Sequence, residues 1–123
     1  MRVIIIALIL LLSNNIYANS SGSELLRQCQ NSIKHIEDDY KDLDLFYSGY
    51  CLGLLNGFAK AYQQSHIFYE LGAEKKLPCV PAEATGDQLI RILVKYLKDK
   101  PERLHEPYGP LVYSALAGAF ACN

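Results

Sequence analysis

Apolar positions recur at helical spacing four times along this chain, and nowhere do apolar and polar residues alternate over more than a few positions. From residue 23 to about 38, Leu25, Leu26, Cys29, Ile33 and Ile36 share one face of a helix, with Ser23 as the expected N-cap. The acidic stretch EDDYKDLD breaks that pattern. A longer segment follows from about 43 to 64, behind Asp42 as cap. Tyr47, Tyr50, Cys51, Leu54, Leu55, Phe58 and Tyr62 cover a wide arc of it, which marks it as the central helix of the domain. A third helix starts at Thr85, where TGDQ reads as a capping box between Thr85 and Gln88; Leu89, Ile90, Leu93, Tyr96 and Leu97 form its stripe. After the turn KPERLHEPYGP, Pro110 sits at the start of a fourth helix reaching about residue 121. Leu111, Val112, Ala115, Leu116, Ala119 and Phe120 face inward there. The pattern predicts an all-α fold: a compact bundle of four main helices in two hairpins.

The first 20 residues stand apart from this bundle. MRVIIIALILLLSNNIYANS carries one basic residue, Arg2, then an unbroken apolar run and a close on small residues. That layout predicts a secretory signal peptide over residues 1–20, cleaved after Ala18 or Ser20. The apolar run is shorter than the ~20 residues that span a bilayer. Residues 21–123 then form a single exported domain, with no membrane partner once the leader is removed.

Charge and cysteines narrow the picture further. The chain has 12 basic and 13 acidic groups and a net charge of −1, which gives no reason to expect nucleic acid as a partner. The four cysteines of an exported chain read as two disulfides. Cys29 lies about nine residues before the first helix ends and Cys51 about eight after the second begins. At ~1.5 Å per residue the two thiols reach nearly equal heights in an antiparallel hairpin. Cys79 precedes the third helix and Cys122 follows the fourth, so both sit at the far end of the second hairpin. The expected bridges are Cys29–Cys51 and Cys79–Cys122.

Within the second segment, SGYCLGLLNGFAKAY sets Gly49, Gly53 and Gly57 four residues apart. Each costs a helix roughly 1 kcal/mol against alanine. A side-chain-free stripe lets another backbone approach closely, either as a helix crossing within the chain or as the seam of a homodimer.

The residues advertise little chemistry. His35, His66 and His105 are scattered, with no HxxxH or HExxH pair, and no cysteine or histidine spacing fits a zinc site. There is no GxSxG elbow and no glycine-rich phosphate loop. HIEDD at 35–39 lacks the alternating ligands of a calcium loop and reads as a solvated turn. No enzyme activity, cofactor or metal is expected. The stretch QQSHIFYELGAEKK instead places His66, Ile67, Phe68, Tyr69 and Glu70, then Glu74, Lys75 and Lys76, in a long connection outside the helices. Aromatics in such a connection serve either as contact anchors or as a small satellite core under the loop.

Taken in order, GYCLG and Gly57 on one helix, PCVP followed by Gln88, VKYLKDKPERLHEP and the terminal LVYSALAGAFAC resemble the Rap/Tai family of periplasmic immunity proteins from type VI secretion systems. The resemblance covers about residues 25–122. One departure is Ala121, where relatives usually carry proline. The resemblance implies a helical, disulfide-stabilised, usually dimeric protein of the periplasm that protects its producer by binding a cell-wall amidase and blocking its substrate cleft. The matched positions (Gly49, Cys51, Gly53, Gly57, Cys79, Pro81, Gln88, Tyr96, Leu97, Pro101, Ala115, Leu116, Phe120 and Cys122) look like scaffold. Toxin contacts are therefore expected in the loop 64–76, with the 102–109 turn as second choice. An alternative reading is a periplasmic acid-stress chaperone that binds unfolded clients.

Overall fold

The first helix begins where distant carbonyls take up its loose N–H groups. The computed structural model describes residues 21–38, 43–68 and 77–122, without the side chains of 66–68. Residues 1–20, where a leader is expected, and Asp42, Tyr69, Glu70, Glu74, Lys75 and Lys76 lie outside the described residues. Among the described residues are four α-helices and no strand: α1 (Gly22–Ile36), α2 (Leu45–Phe68), α3 (Gly86–Asp99) and α4 (Tyr108–Ala119). A 3-10 turn, Pro101–Arg103, joins the last two.

Ser21, not Ser23, caps α1; its hydroxyl accepts from the Glu24 N–H at 3.4 Å. The reason lies far along the chain. The Gly22 N–H donates to the Glu106 carbonyl and the Ser23 N–H to the Leu104 carbonyl, both at 2.9 Å. Two donors that a helix start normally leaves unpaired are thus satisfied by the turn after α3. The Ser23 hydroxyl also donates to the Leu104 carbonyl, at 3.2 Å, and Ser21 pairs with Pro107 in a single antiparallel bridge. At its other end α1 closes on Asp38, whose φ of 55° is left-handed, a conformation aspartate tolerates better than most residues.

This strap is tightly seated. An alanine Cβ at Gly22 would lie 2.4 Å from Leu111 Cδ1 and 3.2 Å from the Leu104 backbone, and Leu111 is fully buried. Gly22→Ala is therefore expected to destabilise the domain by about 1–3 kcal/mol through overpacking, measured as a lower urea midpoint. A neutral result would mean that the strap lifts away without cost.

The starts of α2 and α3 are capped locally instead. Asp44 holds the start of α2: its Oδ1 accepts from the N–H groups of Phe46 (3.0 Å) and Tyr47 (3.2 Å). Its own N–H donates to Asn31 Oδ1 at 3.2 Å, tying the start of α2 back to α1. Thr85 caps α3 as expected, accepting from the Gln88 N–H at 3.2 Å. α2 runs on to Phe68, so the backbone of His66, Ile67 and Phe68 is helical and not part of the loop.

The core is built from one stripe per helix: Leu25, Cys29 and Ser32 of α1; Ser48, Cys51, Leu55 and Ala59 of α2; Leu89, Ile90, Leu93, Val94 and Leu97 of α3; Leu111, Val112, Ala115 and Leu116 of α4. α3 packs against each of the other three helices. So does α1, and the two share the centre of the bundle, which corrects the expectation for the more apolar α2. Leu54, Phe58 and Tyr62 pack half-buried at the core edge, whereas Leu45 and Phe46 of α2 are 68% and 75% exposed.

Both expected bridges are present, Cys29–Cys51 and Cys79–Cys122, each with a Cα–Cα distance of 5.1 Å. Cys29–Cys51 sets the register of the first hairpin. One turn further on, the buried Ser32 hydroxyl donates to the Ser48 carbonyl at 2.8 Å.

Gly49, Gly53 and Gly57 point outward. All three are exposed, and nothing stands within 4 Å of a Cβ built on any of them. No helix among the described residues crosses there, so of the two readings of the stripe the close approach within the chain is not found among them. The stripe instead lies on the open face of α2 with Leu45, Phe46, Tyr50 and Leu52.

Candidate functional site

The feature with the clearest built support is the connection between α2 and α3, because both of its stems are fixed. On the incoming side, α2 carries Gln63, whose Nε2 donates to the carbonyls of Val80 (3.3 Å) and Pro81 (3.0 Å). On the outgoing side, Pro78 and Val80 are buried, and the Cys79 N–H donates to the Phe120 carbonyl at 2.8 Å. Cys79 is also bonded to Cys122. The segment leaving the connection is therefore held to α2 by one side chain and to the end of α4 by a backbone bond and a disulfide. A connection with both ends pinned to a packed scaffold suits a recognition surface.

Beneath the stems is an aromatic group. Tyr62 packs against Phe58 with ring centroids 6.0 Å apart and meets Tyr113 of α4 edge-on at 6.4 Å. Burial pushes the Tyr62 phenol above its ordinary pKa, and the neighbouring Tyr113 adds to the rise. Tyr62 therefore stays neutral and acts as packing. Of the expected contact residues, His66, Ile67 and Phe68 continue α2 directly above this group as backbone; Tyr69, Glu70, Glu74, Lys75 and Lys76 fall outside the described residues.

The second expected contact region, the 102–109 turn, is organised by Arg103. Its Nε and Nη2 donate to the two carboxylate oxygens of Glu106, both at 2.7 Å. Its Nη1 donates to the Tyr96 hydroxyl and to Ser114 Oγ. One guanidinium thus ties the turn to α3 and α4, in the fork geometry that only arginine provides. The hydrogen bonds from Arg103 hold the Glu106 carboxyl below the usual carboxylate range, outweighing the opposing effect of desolvation. A lowered folded pKa contributes stability above the unfolded carboxylate value, and that contribution is lost as pH falls through the folded value. The thermal midpoint difference between wild type and Glu106→Gln is therefore expected to shrink from about pH 7 to about pH 2.5. A constant difference would mean that the pair adds nothing in solution.

The two histidines whose side chains are described stand far apart. His35 is in the last turn of α1, while His105 is in the turn that pairs with the first residues of α1. That puts roughly 20 Å of helix between them. Among the described residues no group of three or more His, Cys, Asp or Glu side chains is placed to hold a metal ion. No helix among them is long and apolar enough to cross a membrane.

Sequence reasoning missed two of the residues that build these regions. In the sequence Gln63 is one polar residue among several near the end of α2, and Arg103 is one charge among several in a turn. For Arg103 a signal existed in the spacing RLHE, which sets arginine and glutamate three apart beside a half-buried tyrosine. For Gln63 there was none, since its partners are backbone carbonyls 17 and 18 residues away.

Residues 21–122 match the family model of the Rap1a immunity proteins. No curated protein and no solved structure matches the chain. The family match opens at Ser21, the cap of α1, and ends at Cys122, the last bridge cysteine. It therefore takes in both disulfides, the fixed stems and the arginine-centred turn, and the chain belongs to the Rap1a immunity protein family.

Proposed function

We propose that the exported domain is a periplasmic immunity protein that binds a type VI secretion peptidoglycan amidase and blocks its substrate cleft by occlusion, without chemistry of its own. The observation that carries this reading is the family match across the whole described fold. Two others support it: the disulfides fit an oxidising compartment, and the connection after α2 leaves a scaffold that is fixed at both stems.

The contacts are assigned to His66, Ile67, Phe68, Tyr69, Glu70, Glu74, Lys75 and Lys76. Phe68 or Tyr69 serves as the buried anchor, and the charged residues form the rim. The open face of α2, with Gly49, Gly53 and Gly57 bare between Leu45, Phe46 and Leu52, is assigned to a second copy of the chain.

The test mixes the mature protein with amidases encoded by the same organism and follows muropeptide release. Stoichiometric inhibition and a complex on a sizing column are expected. Phe68→Ala or Tyr69→Ala is expected to weaken that complex by about 30-fold, the scale of one hot-spot residue. Undiminished cleavage across the panel, with no complex, would refute the reading.

A further inference from the structure

The two disulfides differ in a way that bears on how the domain responds to reductant. Cys29 and Cys51 are both 0% exposed and belong to the same buried cluster as Leu25 and Leu55. A thiolate must approach a sulfur along the S–S axis, and no such approach exists without opening the first hairpin. Cys79 is exposed and Cys122 half-buried. Both stand outside the helices, in the segment before α3 and in the tail after α4. The Cys122 sulfur also lies 3.0 Å from the Leu77 carbonyl. That oxygen is an acceptor ready for a thiol proton once the bridge has opened.

We infer that Cys79–Cys122 is a reducible latch on the stem of the α2–α3 connection, opened by a dithiol reductant while the domain stays folded, and that Cys29–Cys51 is a permanent staple. One thiolate of the dithiol attacks Cys79 Sγ, forms a mixed disulfide and expels Cys122 as a thiolate, which takes up a proton. The second thiolate of the dithiol then attacks its own partner sulfur, releases Cys79, which is also protonated, and leaves the reductant as a disulfide. Two electrons pass to the protein. The opened form keeps the core, the staple, the buried Pro78 and Val80, and the Gln63 bonds to Val80 and Pro81. It loses the covalent hold between the stem and residues 120–122, leaving the Cys79-to-Phe120 backbone bond alone. A less firmly held stem presents the connection less well, so reduction lowers toxin affinity. That last step rests on the contact assignment made above.

The native protein is titrated with dithiothreitol at 25 °C, quenched with a maleimide and mapped by peptide mass. Cys79 and Cys122 are expected to label at least tenfold faster than Cys29 and Cys51, in a species that keeps its helical circular dichroism. Equal rates, labelling of Cys29 and Cys51 first, or loss of helix in the single-bridge species would overturn the inference. The Cys79→Ser/Cys122→Ser variant gives a second reading: amide exchange should rise at least tenfold in residues 77–81 and 120–122 and stay unchanged in 89–97. A rise in 89–97 as well would overturn it. Unchanged toxin affinity in that variant, alongside the expected labelling order, overturns the toxin-facing half of the inference and leaves the latch itself supported.

Discussion

Replacing Cys29 and Cys51 together by alanine is expected to lower the unfolding free energy by about 3–4 kcal/mol. The bridge joins residues 22 apart in sequence, and cross-linking a loop of that length restricts the unfolded chain by about 3 kcal/mol in the chain-entropy view. Both sulfurs are fully buried, so their removal also leaves unfilled volume between α1 and α2, with a further cost. The hairpin does not come apart, because the Ser32–Ser48 hydrogen bond and the stripes of Leu25 and Leu55 keep its register. In a domain of about 100 residues the loss corresponds to a thermal midpoint lower by about 15 °C. A drop of only a few degrees would mean that the reduced chain already holds α1 against α2 before it folds.

The second large effect has the opposite sign. Changing Gly49, Gly53 and Gly57 together to alanine is expected to stabilise the isolated chain by about 1.5–3 kcal/mol. Each site lies inside α2, is exposed and has nothing within 4 Å of the added methyl. Each substitution should therefore gain close to the full difference in helix propensity, about 0.5–1 kcal/mol. The same three methyl groups would push a second copy away from the open face. The triple variant is thus expected to melt higher at low concentration and to dimerise at least tenfold more weakly by sedimentation. Greater stability with unchanged self-association would remove α2 from the dimer seam. Lower stability would mean that a segment outside the described residues covers the stripe.

These outcomes bear on what sequence reasoning could and could not reach. Helix number, the capping of α3 by Thr85 and both disulfide pairings were legible, because each depends on spacing within one or two neighbouring elements. The height argument for Cys29 and Cys51 worked because two facing helices share one rise per residue. The cap of α1 was misplaced because the choice between Ser21 and Ser23 is made by carbonyls of the 104–107 turn, which no local window contains.

The direction of the glycine stripe was legible but was not read. A bridging cysteine must face its partner helix, so Cys51 marks the buried side of α2. Two residues further, at about 100° each, Gly53 lies about 160° from it. Apolarity hid this, because the buried stripe of α2 is Ser48, Cys51, Leu55 and Ala59, while the larger Phe46 and Tyr50 are left outside. The candidate site was legible as composition only. Its aromatics stood out in the sequence, whereas the fixed stems depend on Gln63 and Phe120 meeting Cys79, Val80 and Pro81 across the fold.

The strap at residues 21–23 has a consequence for the order in which the domain assembles. Its hydrogen bonds to Leu104 span 81 positions, and a closure of that length comes late in folding. Until the 104–107 turn has formed, the Gly22 and Ser23 N–H groups lack their carbonyl partners and α1 starts on its Ser21 cap alone. Early docking of α1 on α2 is thus provisional, and the start of α1 locks only once α3 and the turn after it are in place.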